Sequence, residues 1–310
     1  MDDVLDSRPG GRSALRMGTL TRGRPGTAAR GLDYAVIDVE TTGLHPAEGA
    51  RICEIAVIRM RGDGSVLREF TTLVDPGGPV TGQIHHSIGQ SDVVGAPKVG
   101  DLVGVVAELV SDAVLVGHKL DFEGRFLEAE FVPAGLPAAL PGLCTLRALR
   151  SQVGLDRYSL PRASHALNGH WPTGQHTALG DARACAQLLA ELLRNAPGEL
   201  RYTGPAPLAV HAAPAETVRL KPRVSPGGTL RLSAARPAPA RPLATWPPCW
   251  RPLELDPELC GGSFGVEQRR AAADAAQRSR RRREAVAAAA AATGALAAAA
   301  VARGLLRGGR

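Results

Sequence analysis

The sequence predicts an α/β fold with a mixed five-stranded sheet flanked by helices, and three observations support this prediction. An aromatic and β-branched run at 34–40 is followed by two further apolar runs at 52–60 and 66–74. The sequence RGDGS at 61–65 separates the last two runs and is typical of a hairpin turn. Short apolar runs then alternate with segments of helical periodicity. An antiparallel meander followed by alternating helices and strands indicates a mixed sheet.

The remaining elements are assigned in chain order from apolar spacing and turn residues. They are a helix at 98–110, a buried strand at 113–117, a helix at 122–131, a fifth strand at 143–146, a helix from Ser159 and a final helix at 178–193. Regular structure is expected to stop near Asn195, where Pro and Ala become dense.

Composition divides the chain into four segments. Residues 1–30 are rich in Gly, Arg and Ser without periodicity and are expected to be a disordered tail, and residues 31–195 form the folded domain. Residues 196–260 are interpreted as a Pro/Ala-rich linker. Its residues Trp246, Cys249 and Trp250 could form a small docking motif, but a patch packed on the domain is the favoured interpretation. Residues 261–310 form an Arg/Ala-rich basic tail, helical or disordered.

The basic charge of the chain comes from its two ends. Residues 261–310 hold 10 Arg against 3 acids, and residues 1–30 hold 6 Arg against 3 Asp, so the body between them is slightly acidic. An acidic body with basic ends suits a metal-dependent enzyme that acts on a polyanion, although basic ends alone are usually just solvated.

The cysteines and the apolar segments indicate where in the cell the protein is expected to be located. The 5 cysteines are scattered and form no CxxC pair, which argues against a disulfide framework and a zinc site and favours a cytoplasmic protein. The N-terminus lacks the apolar core of a secretory signal. The run at 285–302 is almost all Ala, which buries too little apolar surface for a membrane anchor to be the favoured interpretation.

Asp38 and Glu40 are the first candidate functional residues. Two residues apart on a strand, they point to the same face. Carboxylates this close repel each other and raise each other's pKa unless a cation lies between them. Mg²⁺ prefers such oxygen ligands. For this stretch alone, a strand that ends in two solvated acids is an equally good explanation.

Two further polar clusters decide between these explanations. HKLDFE at 118–123 follows a short strand, and His176 precedes Asp181 at the start of the last helix. Each has a structural explanation by itself, because Asp121 suits a helix N-cap and Asp181 suits the first turn of a helix. Together, four carboxylates and one histidine are the set required for two-metal phosphodiester hydrolysis.

The sequence DVETTGL at 38–44 resembles the first motif of the DnaQ-like, or DEDDh, 3′–5′ exonucleases, whose best-known member is the proofreading ε subunit of bacterial DNA polymerase III. Further similar segments lie at 70–76, 86–93, 117–127, 144–147, 158–160 and 176–181, so the resemblance spans about 32–193. It implies a ribonuclease H-like fold and a 3′–5′ exonuclease that uses two Mg²⁺ or Mn²⁺ ions. The implied product is a nucleoside 5′-monophosphate, and the implied partners are DNA or RNA with a free 3′ end and a DNA polymerase or repair complex.

The resemblance also assigns roles to individual residues. Asp38 would bridge both metal ions, with Glu40 and Asp181 completing the first site and His176 acting as general base. The pocket for the terminal nucleotide would be lined by Thr41, Thr42 and Leu44, with His86 on the loop that faces it.

The second motif departs from the family pattern. The family reads His-Asn-x-x-Phe-Asp, whereas this chain has Lys119 in place of the Asn and Glu123 in place of the final Asp. Aligning Phe122 makes Glu123 the metal ligand, and Asp121 is the fallback ligand if the local register differs. The departure also keeps an alternative open, in which the chain is a catalytically weak relative that binds nucleic acid through its basic tail.

Overall fold

The computed structural model describes residues 13–210, 218–223 and 250–260. All of them belong to the unit formed by residues 1–260. The described strands are β1 (Leu15–Gly18), β2 (Leu20–Thr21), β3 (Thr27–Ala28), β4 (Asp33–Thr41), β5 (Ile52–Arg61), β6 (Val66–Leu73), β7 (Val114–Gly117), β8 (Leu140–Cys144) and β9 (Arg201–Tyr202). The described α-helices are α1 (Gln83–His86), α2 (Gln90–Val93), α3 (Val99–Val110), α4 (Asp121–Phe126), α5 (Thr145–Gln152), α6 (Leu160–Asn168) and α7 (Ala178–Asn195).

The main sheet has six strands in the order β1-β8-β7-β4-β5-β6. β4, β5 and β6 form the predicted antiparallel meander, whereas β4, β7, β8 and β1 pair in parallel. The predicted α/β class, a ribonuclease H-like mixed sheet flanked by helices, is confirmed. The prediction of five strands is wrong for the described sheet, because β1 adds a sixth.

Side-chain alternation along β4 builds a hydrophobic core on each face of the sheet. Tyr34 and Val36 face the core that contains α7, and Ala35 and Ile37 face the core that contains α3. The central strand is therefore buried on both sides, as expected where helices cover both faces of a sheet. Its carboxyl end, where Asp38 and Glu40 lie, is fixed by packing on either side.

Two predicted elements have different boundaries in the structure. The helix expected at 122–131 is α4 followed by a π-helical turn at Leu127–Phe131. The strand expected at 143–146 ends earlier, because β8 stops at Cys144 and α5 begins at Thr145.

The N-terminal segment is ordered from residue 13, so the prediction of a disordered tail at 1–30 is wrong for residues 13–30. β1 pairs with β8 in parallel, and β2 and β3 pair with β9 in a small antiparallel sheet. Gly18 permits this packing, because a Cβ there would lie 2.4 Å from the Tyr202 ring. At least one of the glycines that suggested disorder, Gly18, is therefore needed where two chain segments pack closely together. Residues 1–12 lie outside the described residues.

The segment predicted to be a linker also lies partly against the domain. β9 belongs to the small sheet, and the backbone N–H of Leu73 donates to the Lys221 carbonyl at 2.8 Å. Trp250 forms a bridge with Val153 and packs on the core, as the predicted patch requires, whereas Trp246 and Cys249 lie outside the described residues. The prediction that the folded domain ends at residue 195 is therefore wrong.

The expected basic tail, residues 261–310, lies outside the described residues and remains a prediction. Within the described ranges, no helix has the length and apolar character needed to cross a bilayer.

Candidate metal centre

Asp38 and Glu40 occupy the end of the central strand, on the same face. The pairing of β4 with β5 changes register directly after Glu40, where Glu40 lies opposite Glu54 and Thr41 lies opposite Ile52. Cys53 is the extra residue of β5 in this bulge and has no partner on β4 in the register. Bulges bend a strand locally and are common beside functional sites. This one ends the regular pairing where the acidic residues begin.

Asp181 joins the two strand carboxylates from α7. The helix packs against β4 and β5, and Thr177 caps it by accepting the backbone N–H of Gly180 at 3.1 Å. One carboxylate oxygen from each of Asp38, Glu40 and Asp181 lies within 4.8 Å of the others. The structure therefore brings together three of the predicted metal ligands.

The electrostatics of this acidic cluster show that the protein compensates its negative charge only in part. Burial raises the pKa of Asp38 well above its usual value, and the nearby carboxylates of Glu123, Asp181 and Glu40 raise it further. Burial, together with Glu54 and Asp181, raises the pKa of Glu40 to about 8. Burial also raises the pKa of Asp181. Carboxylates held this close favour a bound cation.

Glu123 is the buried acid of the second motif. Its side chain is 5% exposed, and its Oε2 has no hydrogen-bond partner among the described residues. That oxygen lies against Gly117, since a Cβ at residue 117 would be in van der Waals contact with it at 3.4 Å. Burial and the nearby Asp121 raise the pKa of Glu123 to about 8. An unpartnered buried carboxylate oxygen beside Asp38 suits a metal ligand.

Asp121 has different surroundings. Its carboxylate is exposed and forms an ion pair with Arg147 at 2.7 Å. The expectation that Asp121 is the N-cap of its helix is wrong, because the N-cap residue is Leu120 and Asp121 is the first residue of α4. The geometry therefore favours Glu123 over Asp121 as the second-motif ligand.

The chemistry of these side chains fits a divalent metal ion. Asp38, Glu40, Glu123 and Asp181 offer only carboxylate oxygens, the ligands that Mg²⁺ and Mn²⁺ prefer. The three-residue cluster offers its oxygens within 4.8 Å of one another, and Glu123 contributes a buried oxygen that has no protein partner among the described residues. These four residues could hold the metal.

His176 lies on the exposed loop that leads into α7. Its backbone has φ +60°, in the left-handed region that residues other than Gly rarely adopt, which costs on the order of 1–3 kcal/mol. Its N–H donates to Oδ2 of Asp181 at 3.1 Å. Gly180 allows the loop to approach the helix, because a Cβ there would lie 2.0 Å from the Gly174 carbonyl oxygen. The imidazole is therefore carried by a constrained loop that contacts the acidic cluster.

The residues expected to line the nucleotide pocket surround the end of β4. Thr41 donates from its hydroxyl to the Gly43 carbonyl at 2.7 Å, and the Thr42 hydroxyl accepts the Arg51 N–H at 3.0 Å. Leu44 is 68% exposed. The two hydrogen bonds stabilise the turn beside the acidic cluster, and the apolar side chain of Leu44 lies exposed on that turn.

The His86 ring does not reach solvent. It is buried; its Nδ1 accepts the Ile88 N–H at 3.0 Å, so its Nε2 donates to the Thr81 carbonyl at 3.1 Å. Burial lowers the pKa of His86. The His86 side chain therefore stabilises the conformation of the loop that carries it.

Sequence reasoning missed two residues of the centre, Glu54 and Arg223. Glu54 is 2% exposed, lies opposite Glu40 and accepts the Ala178 N–H at 3.1 Å. Arg223 forms an ion pair with Glu54 at 3.1 Å. An acid inside the apolar run at 52–60 was a usable signal for Glu54, whereas Arg223 lies in a Pro-rich stretch with no local pattern.

Comparisons with known proteins agree with this arrangement. A family model described as Exonuclease, RNase_T, matches residues 35–189. A DNA polymerase III subunit epsilon from Aquifex aeolicus is 30% identical over 164 residues, which cover 52% of this chain and 80% of that protein. A DNA polymerase III subunit epsilon-like protein from Rhodobacter capsulatus is 33% identical over 189 residues, or 59% of this chain. This chain covers only 26% of the Rhodobacter protein's length.

The fold also resembles a solved structure. E. coli exonuclease I in complex with a dT13 oligonucleotide aligns with 53% of this chain and 41% of that chain, with a TM-score of 0.44 and 16% identity.

Proposed function

The chain belongs to the exonuclease family whose model matches residues 35–189, and from this premise we propose that it is a metal-dependent 3′–5′ exonuclease. The reaction would hydrolyse the last phosphodiester bond of a strand and release a nucleoside 5′-monophosphate. The observation that carries the proposal is the cluster of Asp38, Glu40 and Asp181, with oxygens within 4.8 Å of one another.

Asp38, Glu40, Glu123 and Asp181 would hold two Mg²⁺ or Mn²⁺ ions. Bound ions of this kind stabilise the charge that develops on the attacking and leaving oxygens of a phosphodiester. The raised pKa values of Asp38 and Glu40 support this assignment, since the protein supplies too few cations of its own at this position.

His176 would take the proton from the attacking water. It is exposed, so its ring is accessible to substrate and water, and its backbone is bonded to Asp181. A general base must come within hydrogen-bond reach of the proton that it removes, so the position of this loop determines the efficiency of the step.

The substrate would bind at the end of β4. Thr41, Thr42 and Leu44 would contact the terminal nucleotide, and the loop of His86 would face it. The exposed apolar surfaces of Leu44 (68%) and Ile84 (90%) support an apolar contact with the terminal base at this position.

We further propose DNA with a free 3′ end as substrate and a DNA polymerase or a repair complex as partner. The relatives named as DNA polymerase III subunits support this choice. The four described cysteines are buried free thiols, which supports a cytoplasmic location.

One observation favours a second candidate function, a catalytically weak nucleic-acid-binding relative. Lys119 replaces the usual Asn and has φ +97°, a conformation that Asn adopts more readily than Lys. The buried position of Glu123 supports the first candidate instead.

The test is release of nucleotide from 5′-labelled single-stranded DNA and RNA of equal sequence, with Mg²⁺, Mn²⁺ or EDTA. The proposed function predicts a ladder that shortens from the 3′ end only with metal, and its absence with Asp38→Asn. Retained binding without shortening under any metal would favour the second candidate.

A further inference from the structure

Arg223 contacts three separate parts of the candidate active site with one guanidinium group. Its Nη1 donates to Oε2 of Glu54 at 3.1 Å and to the His176 carbonyl at 3.1 Å. Its Nη2 donates to the His86 carbonyl. The planar, five-donor fork of Arg can bind several acceptors at once, which a Lys ammonium on a flexible stem does less well.

The three acceptors lie on different segments. Glu54 is on β5, His86 ends α1 on the loop after β6, and His176 is on the loop before α7. In the described residues, this guanidinium thus connects the sheet with both loops that flank the acidic cluster.

The contact with His176 bears on its strained backbone. His176 has φ +60°, its N–H is held by Asp181, and its carbonyl is held by Arg223. A non-Gly residue persists in the left-handed region only where its surroundings fix it. The two bonds flank the strained residue on either side and so fix the direction in which the imidazole leaves the backbone.

The segment that carries Arg223 is itself anchored on the sheet. The Lys221 carbonyl accepts the Leu73 N–H at 2.8 Å, and the Lys221 N–H donates to the Thr72 hydroxyl at 3.0 Å. These bonds attach residues 218–223 to the end of β6. The guanidinium therefore extends from a fixed backbone.

Glu54 explains why the guanidinium points inward. Its carboxylate is 2% exposed, and a buried carboxylate without a partner would be costly. Arg223 supplies the charge and the Ala178 N–H supplies a second hydrogen bond to the same oxygen. Glu54 thereby links Arg223 to the first turn of α7, three residues before Asp181.

We propose that Arg223 is a positioning residue that holds the His176 loop against the acidic cluster, so that the catalytic unit extends beyond residues 35–189 to include residues 218–223. This inference rests on the proposed function. It assigns a role to a segment that the sequence presents as a linker.

The test compares full-length Arg223→Ala, Arg223→Lys and Arg183→Ala with the wild type. Arg183 is a matched control, because it lies on α7 and its guanidinium binds Glu69 on the sheet, Nε to Oε1 at 2.9 Å, and among the described residues no hydrogen bond joins it to either loop. Arg223→Ala should lower kcat about 10- to 100-fold with KM within about threefold, the effect of misplacing a group by about 1 Å. Arg223→Lys should give an intermediate kcat, and Arg183→Ala should match the wild type.

Amide hydrogen exchange supplies a readout that does not depend on activity. Exchange at residues 174–178 should be faster in Arg223→Ala than in the wild type and in Arg183→Ala, while exchange in β4 and β5 stays the same and shows that the domain is folded. Unchanged exchange at 174–178 would overturn the inference. If the wild type is active and Arg223→Ala has the same kcat, the inference would also be overturned. An inactive wild type with faster loop exchange in Arg223→Ala would contradict the proposed function and leave the positioning contact supported.

Discussion

Glu40 and Glu54 lie directly opposite each other on the antiparallel strands β4 and β5. Like charges in this relationship destabilise a sheet. Arg223 and the Ala178 N–H offset the charge of Glu54, whereas Arg223 only partly offsets the burial and neighbouring acids that raise the pKa of Glu40 to about 8. The protein therefore satisfies one of the two acids and leaves the other available to a metal.

Asp38→Asn should abolish hydrolysis and stabilise the metal-free protein. Turnover should fall at least about 100-fold, because several kcal/mol of charge stabilisation depend on the metal. Without metal, the free energy of unfolding should rise, because burial and the neighbouring carboxylates raise the pKa of Asp38 and the amide removes that repulsion. Urea unfolding in EDTA and a labelled-substrate assay measure the two effects. Activity within about tenfold of the wild type would contradict the proposed role of Asp38 as a metal ligand.

Glu123→Gln and Asp121→Asn should differ in their effect on turnover. Glu123→Gln should cost far more activity, because its buried Oε2 has no protein partner among the described residues and Asp121 is occupied by Arg147. Asp121→Asn should lose only an exposed ion pair, worth about 0–1 kcal/mol. Turnover and thermal melting of both variants, measured side by side with Mg²⁺, check this. The reverse ranking of the turnover losses would identify Asp121 as the ligand.

His118 should make the protein less stable in mild acid. Burial and the nearby Arg150 together lower its pKa from 6.5 to about 4, and its Nε2 donates to the Tyr158 carbonyl at 2.7 Å. In the unfolded chain His118 is protonated below about pH 6.5, whereas in the folded protein it stays neutral down to about pH 4. The free energy of unfolding therefore decreases as the pH falls through this window.

His118→Gln isolates that contribution, because the acidic cluster titrates in both proteins. Between pH 7 and pH 5 the wild type should lose about 2 kcal/mol more unfolding free energy than the variant. Urea titrations at the two pH values in EDTA measure the difference. Parallel pH dependence in the two proteins would show that His118 is not held neutral.

Gly180→Ala should displace the His176 loop. The new Cβ would lie 2.0 Å from the Gly174 carbonyl oxygen, so the loop must move, at a cost of about 1–3 kcal/mol. Turnover should fall together with stability. Gly100→Ala is the matched control, because Gly100 also lies in a helix and a Cβ there would meet no packed neighbour within 4 Å among the described residues. This variant should be neutral or gain up to about 1 kcal/mol of stability. Equal behaviour of the two variants in melting and turnover would contradict the close approach.

The basic tail should contribute non-specific attraction to nucleic acid. Its candidate phosphate-binding residues are Arg269, Arg270, Arg278 and the run at 280–283. A chain that ends at Cys260 should bind long single strands more weakly, with a salt slope smaller by about 0.7 for each phosphate that the tail neutralises. Turnover on a dinucleotide should not change. A cut at Asn195 would confound this test, since it also removes Arg223. Equal salt slopes for the shortened and complete chains would leave the tail without this role.

The sequence by itself determined the α/β class, the meander and the pairing of Asp38 with Glu40, because each depends on local periodicity or on motif resemblance. Residues two apart on a strand share a face wherever the strand lies. Only the tertiary structure favours Glu123 over Asp121 as the proposed ligand, because residues two apart on a helix lie about 200° apart around its axis, and here Glu123 is buried whereas Asp121 is exposed. It also supplied the opposition of Glu40 and Glu54 and the contacts of Arg223, which depend on strand register and on chain segments far apart in sequence. No local pattern encodes such contacts, because they join residues that are distant in sequence and become neighbours only in the folded chain.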